Sequence, residues 1–171
     1  MKTLCILRHA KTEKYSPSGR DFDRRLAAKG QKGALLIGDF LKNQEIDLVL
    51  CSAAQRTRET WAIVADFVKA QEVLFSEQLY LAPVNLLLHE IKKIPLKYNS
   101  LLLVGHNPGM AELAIGLSNN QDQPDHWEMQ KKYPTAGLAK FELESWNKLE
   151  TYRLSCFITP ARLEAGIIDE D

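Results

Sequence analysis

Net charge is the first thing missing: 22 lysines and arginines balance 22 aspartates and glutamates over 171 residues. Without a global field, nucleic acid and an anionic membrane surface are not expected partners. Long apolar runs are missing as well, since stretches such as residues 101–104 are far too short to cross a bilayer. The N-terminus has no long apolar segment of the signal-peptide kind and goes straight into a strand-like run, so a cytoplasmic location is expected. Cysteine is scarce. Cys5, Cys51 and Cys156 are an odd number without a C-x-x-C pair, and the first two lie in apolar runs. Buried reduced thiols are expected, not a disulfide framework. No H-x-x-x-H motif or Cys/His cluster supports a metal site.

What is present is a chain long enough for one α/β domain with a real core, expected to span residues 1–171. Three segments, 3–7, 47–51 and 100–104, are continuously apolar, as strands covered on both faces are. Helical patterns lie between them: residues 28–43 align Ala34, Ile37 and Leu41, residues 54–70 align Thr57, Trp61, Val64 and Val68, and residues 84–94 align Leu87, Leu88 and Ile91 before Pro95. A further helix is expected to begin at Pro108. Residues 118–135 form a polar stretch, read as a lid or rim with one short helix from Asp125. Residues 138–143 and 151–157 read as a hairpin turning near 146–148. The expected architecture is an α/β three-layer sandwich, a mostly parallel central sheet with helices on both faces.

In open α/β sheets, ligands bind outside the carboxyl ends of the strands. Here the first apolar segment delivers Arg8-His9, the second runs into Ser52 and then Arg56, Arg58 and Thr60, and the third ends in Gly105-His106-Asn107-Pro108-Gly109. If the three strands are parallel neighbours, Arg8, His9, Arg56 and His106 converge. That grouping suits a phosphoryl group, because guanidinium forks match its oxygens and a neutral imidazole can carry it covalently. Neighbouring guanidiniums disfavour protonation of His9 and keep its attacking nitrogen free. Phosphoryl transfer itself is mostly positioning and charge stabilisation.

These motifs, in this order, resemble the histidine phosphatase superfamily with its phosphoglycerate mutase-like fold. That superfamily carries Arg-His-Gly after its first strand, and this chain has Arg8-His9-Ala10. The pattern Ser-x-x-x-Arg-x-x-x-Thr is matched by Ser52, Arg56 and Thr60, Gly-His by Gly105 and His106, and a first-helix pattern by Leu26, Gly30, Gln31 and Ala34. Arg-His-Ala-Lys with Asp-Phe-Asp-Arg-x-Leu at 21–26 resembles the SixA phosphohistidine phosphatases. The resemblance implies that His9 is the nucleophile and that Arg8, Arg56 and His106 bind the phosphoryl oxygens. It implies no metal or organic cofactor.

Two departures stand out. Relatives that hydrolyse phosphate esters supply a carboxylic acid in a Leu-x-Glu segment, and the corresponding segment here, residues 77–81, places Leu81 where that acid would stand. Glu77 and Asp21 are the other carboxylates that could reach the site. Ala27 replaces the Thr that often caps the first helix in relatives.

Each motif also has a plainer reading. Arg8-His9 alone is a polar strand end, Arg56 and Arg58 an exposed helical face pairing with Glu59 or Asp66, and His106 a satisfied turn histidine. His89 and His126 are read as an exposed helix position and a polar loop, and Trp61 and Phe40 as core. Arg20 or Arg24 is placed at the pocket entrance, and Lys11 and Thr12 along its lining. The leading expectation is a phosphatase acting on phosphohistidine in a protein partner, such as a histidine-phosphotransfer domain. A phosphatase of small phosphorylated molecules and a catalytically idle phospho-ligand module are the alternatives.

Overall fold

The computed structural model describes residues 1–118, 122–148 and 152–167. Strands β1 (Lys2–Arg8), β2 (Ile46–Ser52), β3 (Ala70–Ser76), β4 (Ser100–Gly105), β5 (Leu138–Leu143) and β6 (Arg153–Ile158) form one sheet in the order β3-β2-β4-β1-β5-β6. The pairs β3–β2, β2–β4 and β4–β1 are parallel, whereas β5 runs antiparallel to both β1 and β6. Helices α1 (Ala28–Leu41), α2 (Gln55–Val64), α3 (Val84–Lys92), α4 (Gly109–Leu117), α5 (Pro124–Lys131) and α6 (Pro160–Glu164) cover it. No helix among the described residues is long and apolar enough to cross a membrane.

Side chains of a strand alternate between the two faces, so a strand covered on both must be apolar throughout. On β1, Leu4 and Ile6 enter one core with Leu101, Leu103, Leu87, Ile91, Met110 and Trp146. Cys5 and Leu7 enter the opposite core with Val49, Leu102, Val104, Ile37, Trp61 and Val64. The expected three layers are therefore present. Cys5 and Cys51 are buried free thiols, and Cys156 is buried as well.

The second predicted helix runs too far. After α2 ends at Val64, Asp66 N donates to Ile63 O and Phe67 N to Val64 O, tightening the chain into a turn. Val68 keeps its buried place from that turn, and β3 begins at Ala70. This strand was not anticipated. As the edge of the sheet it is half polar, with Leu74 and Phe75 exposed, and carries neither periodicity cleanly. Of the predicted hairpin, β5 matches; Thr151 lies outside the described residues, and β6 runs from Arg153 to Ile158.

Two close approaches position the site. A Cβ on Gly30 would lie 1.9 Å from the Lys11 carbonyl oxygen, so only glycine lets α1 press against the segment that follows His9. Ala27 N donates to that same carbonyl at 2.9 Å. Ala27 occupies the N-cap of α1 in extended conformation and supplies no side-chain cap. Replacing it by serine is expected to stabilise the protein by about 0.5–1 kcal/mol, read as a higher urea midpoint at unchanged slope. An unchanged or lower midpoint would contradict that reading.

Candidate active site

The register of the sheet assembles the site. Arg8 pairs with Gly105 across β1 and β4, and Cys51 pairs with Val104 across β2 and β4, so all three strands end at one level. Ser52 closes β2, His9 and His106 directly follow β1 and β4, and α2 starts at Gln55 with Arg56 turned inward. The His9 and His106 rings are 5.3 Å apart. Arg8, His9, Arg56 and His106 all line one cavity of about 410 Å³. The plainer reading of Arg56 as an exposed helix residue is thus corrected: it is 3% exposed. Arg58 is the exposed one. Its guanidinium donates to the Ala53 carbonyl and lies over the Phe75 ring, pairing with neither Glu59 nor Asp66. Glu59 instead receives Leu26 N at 2.7 Å.

His9 Nδ1 lies 2.8 Å from the Ala10 carbonyl oxygen, an acceptor only, so Nδ1 carries the proton and Nε2 keeps its lone pair. The Ala10 amide donates to Thr60 Oγ1, whose hydroxyl donates to the Arg56 carbonyl, so the Thr of the second motif anchors the segment that follows His9 on α2. His106 Nε2 lies 2.7 Å from Ser52 Oγ. Ser52 is fully buried and its hydroxyl has no other acceptor among the described residues, so it donates to Nε2, which puts the imidazole proton of His106 on Nδ1. That Nδ1, together with Arg8 Nε and Arg56 Nε, is buried without a protein partner. Three donors from three strand ends thus remain for an anion.

Electrostatics point the same way. Burial first, then Arg56, Arg8 and Arg24, push His9 from 6.5 to about 4, against the pull of its bond to the Ala10 carbonyl. Burial, followed by Arg56 and His9, pushes His106 to about 3. Burial and the neighbouring Arg56 also lower Arg8. Cations are crowded here at a cost that a bound dianion relieves.

Asp21 is the pocket's single carboxylate among the described residues. It accepts from Tyr80 Oη at 2.5 Å, Arg24 Nη1 at 2.9 Å and Arg56 Nη2 at 3.0 Å, and its backbone carbonyl accepts from Arg56 Nη1. The Tyr80 hydroxyl foremost, with the Arg24 and Arg56 bonds, holds Asp21 well below the usual carboxylate range. Glu77 is exposed and does not line the pocket, whereas Leu81 does, with φ at +50°. Lys11, Thr12 and Arg24 line it as expected; Arg20 does not, pairing with Asp23 at 3.9 Å.

Sequence reasoning missed Tyr80 and Tyr133. The Tyr133 carbonyl receives both Arg8 Nη1 and Asn107 Nδ2, while its hydroxyl donates to the Ile6 carbonyl and receives Ala139 N. Neither tyrosine sits in a motif, so no local signal marked them. His126 was read as a loop residue, but it is buried in α5 and bonded to Ser118 and Gln130. The reason is the packing of α5 against α4, which a polar composition concealed. His89 is exposed, as expected.

The model of the histidine phosphatase superfamily (branch 1) matches residues 4–80. The chain belongs to that superfamily, which makes it a phosphatase. A Mycobacterium leprae protein of unassigned function is 34% identical over 153 residues, spanning 84% of this chain and 92% of that protein. A structure from Nakamurella multipartitia assigned as the phosphohistidine phosphatase SixA matches with a TM-score of 0.81 and 26% identity, over 93% of this chain and 96% of that one. A second SixA assignment, from Agrobacterium tumefaciens, matches with a TM-score of 0.78 and 28% identity, over 93% and 98%. Chains described as small-metabolite phosphatases share the fold at 15% and 16% identity.

The two depressed histidines set the acid response. Both are neutral in the fold and protonate near 6.5 when unfolded. Below that value the unfolded chain binds the extra protons, so their stabilising contribution is complete above about 6.5. It is lost as pH falls through about 4 for His9 and about 3 for His106. A histidine titration by NMR is expected to show these two midpoints, with the urea midpoint lower at pH ~5 than at pH ~7.5. Midpoints at the ordinary value would contradict the buried, guanidinium-flanked site.

Proposed function

We propose that the protein hydrolyses phosphohistidine, a phosphoramidate, carried on a protein. His9 Nε2 attacks phosphorus and forms a new N–P bond as the N–P bond to the substrate imidazole breaks. The Ala10 carbonyl holds Nδ1–H and favours the positive charge that His9 acquires. Arg8, Arg56 and His106 Nδ1–H hold the phosphoryl oxygens. Water then attacks the phospho-His9 intermediate, releasing phosphate and restoring the neutral imidazole.

The observation carrying this reading is the state of Asp21. Among the described residues it is the one carboxylate of the pocket, and three donors keep it ionised, without a proton to give. An ester leaves as an alkoxide and needs a general acid, worth about 10²–10⁴-fold. Phosphohistidine protonated on its other ring nitrogen departs as neutral imidazole, a far weaker base that needs no acid from the enzyme.

Phosphate release from a phosphohistidine protein is expected to exceed that from an alkyl phosphate ester by at least about 10²-fold in kcat/KM, with His9→Ala abolishing both. Equal or faster ester hydrolysis dependent on His9 would instead favour a phosphatase of small phosphorylated molecules, the reading that the position of Asp21 in the pocket supports. Asp21→Asn separates the roles. As a holder of Arg56 and Arg24 it is expected to raise KM severalfold and leave the shape of the kcat pH profile intact. Loss of a basic limb from the kcat profile, with ester turnover falling about 10²-fold or more, would make Asp21 the acid.

A further inference from the structure

A second cavity, about 430 Å³, lies beside the catalytic pocket and shares Arg8, Lys11 and Thr135 with it. Its walls come from the start of α1, the segment after α5 and the start of α6. Lys29, Lys32 and Lys132 join Arg8 and Lys11 there. The one acid on its walls among the described residues, Glu164, is already engaged by Lys32 at 2.7 Å. In a chain of balanced charge this is a local concentration of cations, built by parts of the sequence more than a hundred residues apart.

We propose that this cleft is a second anion subsite that receives acidic side chains flanking the phosphorylated residue of a protein substrate. The proposal rests on the phosphohistidine reading and deepens it. A phosphoryl group occupies the inner pocket alone, so whatever lies beside it on the substrate meets the lysine cleft. Lys11, Lys29, Lys32 and Lys132 are exposed, on long flexible stems, and spread over separate elements. Such an arrangement suits the carboxylates of an apposed protein surface better than an enclosed small ligand. Arg8 borders both cavities, so the subsite sits directly alongside the reacting group.

The test uses the full chain and the double variant Lys29→Glu/Lys132→Glu, which leaves Lys11 and every catalytic-pocket residue in place. Two matched phosphohistidine peptides are compared, one flanked by Asp and Glu, the other by Asn and Gln. The wild type is expected to prefer the acidic peptide through a KM about tenfold lower, the preference fading with added salt. The double variant is expected to lose or invert it, Lys29→Arg/Lys132→Arg to keep it, and inorganic phosphoramidate to turn over equally in all three. Equal use of both peptides by the wild type, or a preference that survives charge reversal, overturns the proposal.

Direct binding of hexaglutamate, read without turnover, is the independent arm. It is expected to weaken about tenfold in the double variant. Unchanged hexaglutamate binding overturns the subsite; if tripolyphosphate binding is lost there instead, the cleft serves a small polyanion. If the wild type hydrolyses aryl esters and neither peptide, the phosphohistidine reading fails, and hexaglutamate binding still decides the cleft.

Discussion

Everything at the site depends on the parallel register of β4 between β1 and β2. Hydrogen bonding sets Arg8 opposite Gly105 and Val104 opposite Cys51, so three strands stop at one edge. A slip of one residue would turn Leu4 and Ile6 from their core to the other, and would carry Arg8 and His9 away from His106. Burial on both faces makes such a slip prohibitive. The chemistry is therefore held in place by the hydrophobic pattern of strands that contain none of it.

That placement forces an electrostatic compromise. Arg56 is almost wholly buried and shares the cavity with Arg8 and Arg24, while Asp21 is the one opposing charge among its described residues. Two forks of Arg56 are tied to Asp21, leaving its Nε among the unpartnered donors. The histidines respond by staying neutral, one with a free lone pair at Nε2 and the other with a proton at Nδ1. A ring nitrogen with a free lone pair and one with a proton thus arise from identical side chains by means of what each contacts on its far nitrogen.

How far the sequence discloses this follows the same physics. β1, β2 and β4 are readable because a doubly covered strand must be apolar throughout, and their ends mark the site because ligands gather there. Arg8, His9, Arg56 and His106 were legible for that reason and lie together. β3 was not, since an edge strand faces water and mixes polar with apolar residues. The end of α2 was obscured because Val68 keeps helical spacing through a turn. Tyr80 and Tyr133 act across 59 and 125 positions, on Asp21 and Arg8, and no local pattern encodes such reach. His126 hid in a polar stretch whose helix packs inward.

Tyr133 also braces one side of the pocket from behind. Its carbonyl holds Arg8 and Asn107 while its hydroxyl ties β1 to β5, and its ring packs against Phe157 in the core. The inner wall is therefore preorganised, with little rearrangement left to do when charge develops. The lining also takes Asp21 from the short turn Asp21–Asp23, which buries none of its residues. Asp21 in that turn is tied to Arg56 and Arg24, so a change in this exposed part of the lining is passed to the buried guanidinium, and surface variation in this scaffold is coupled to its reacting groups.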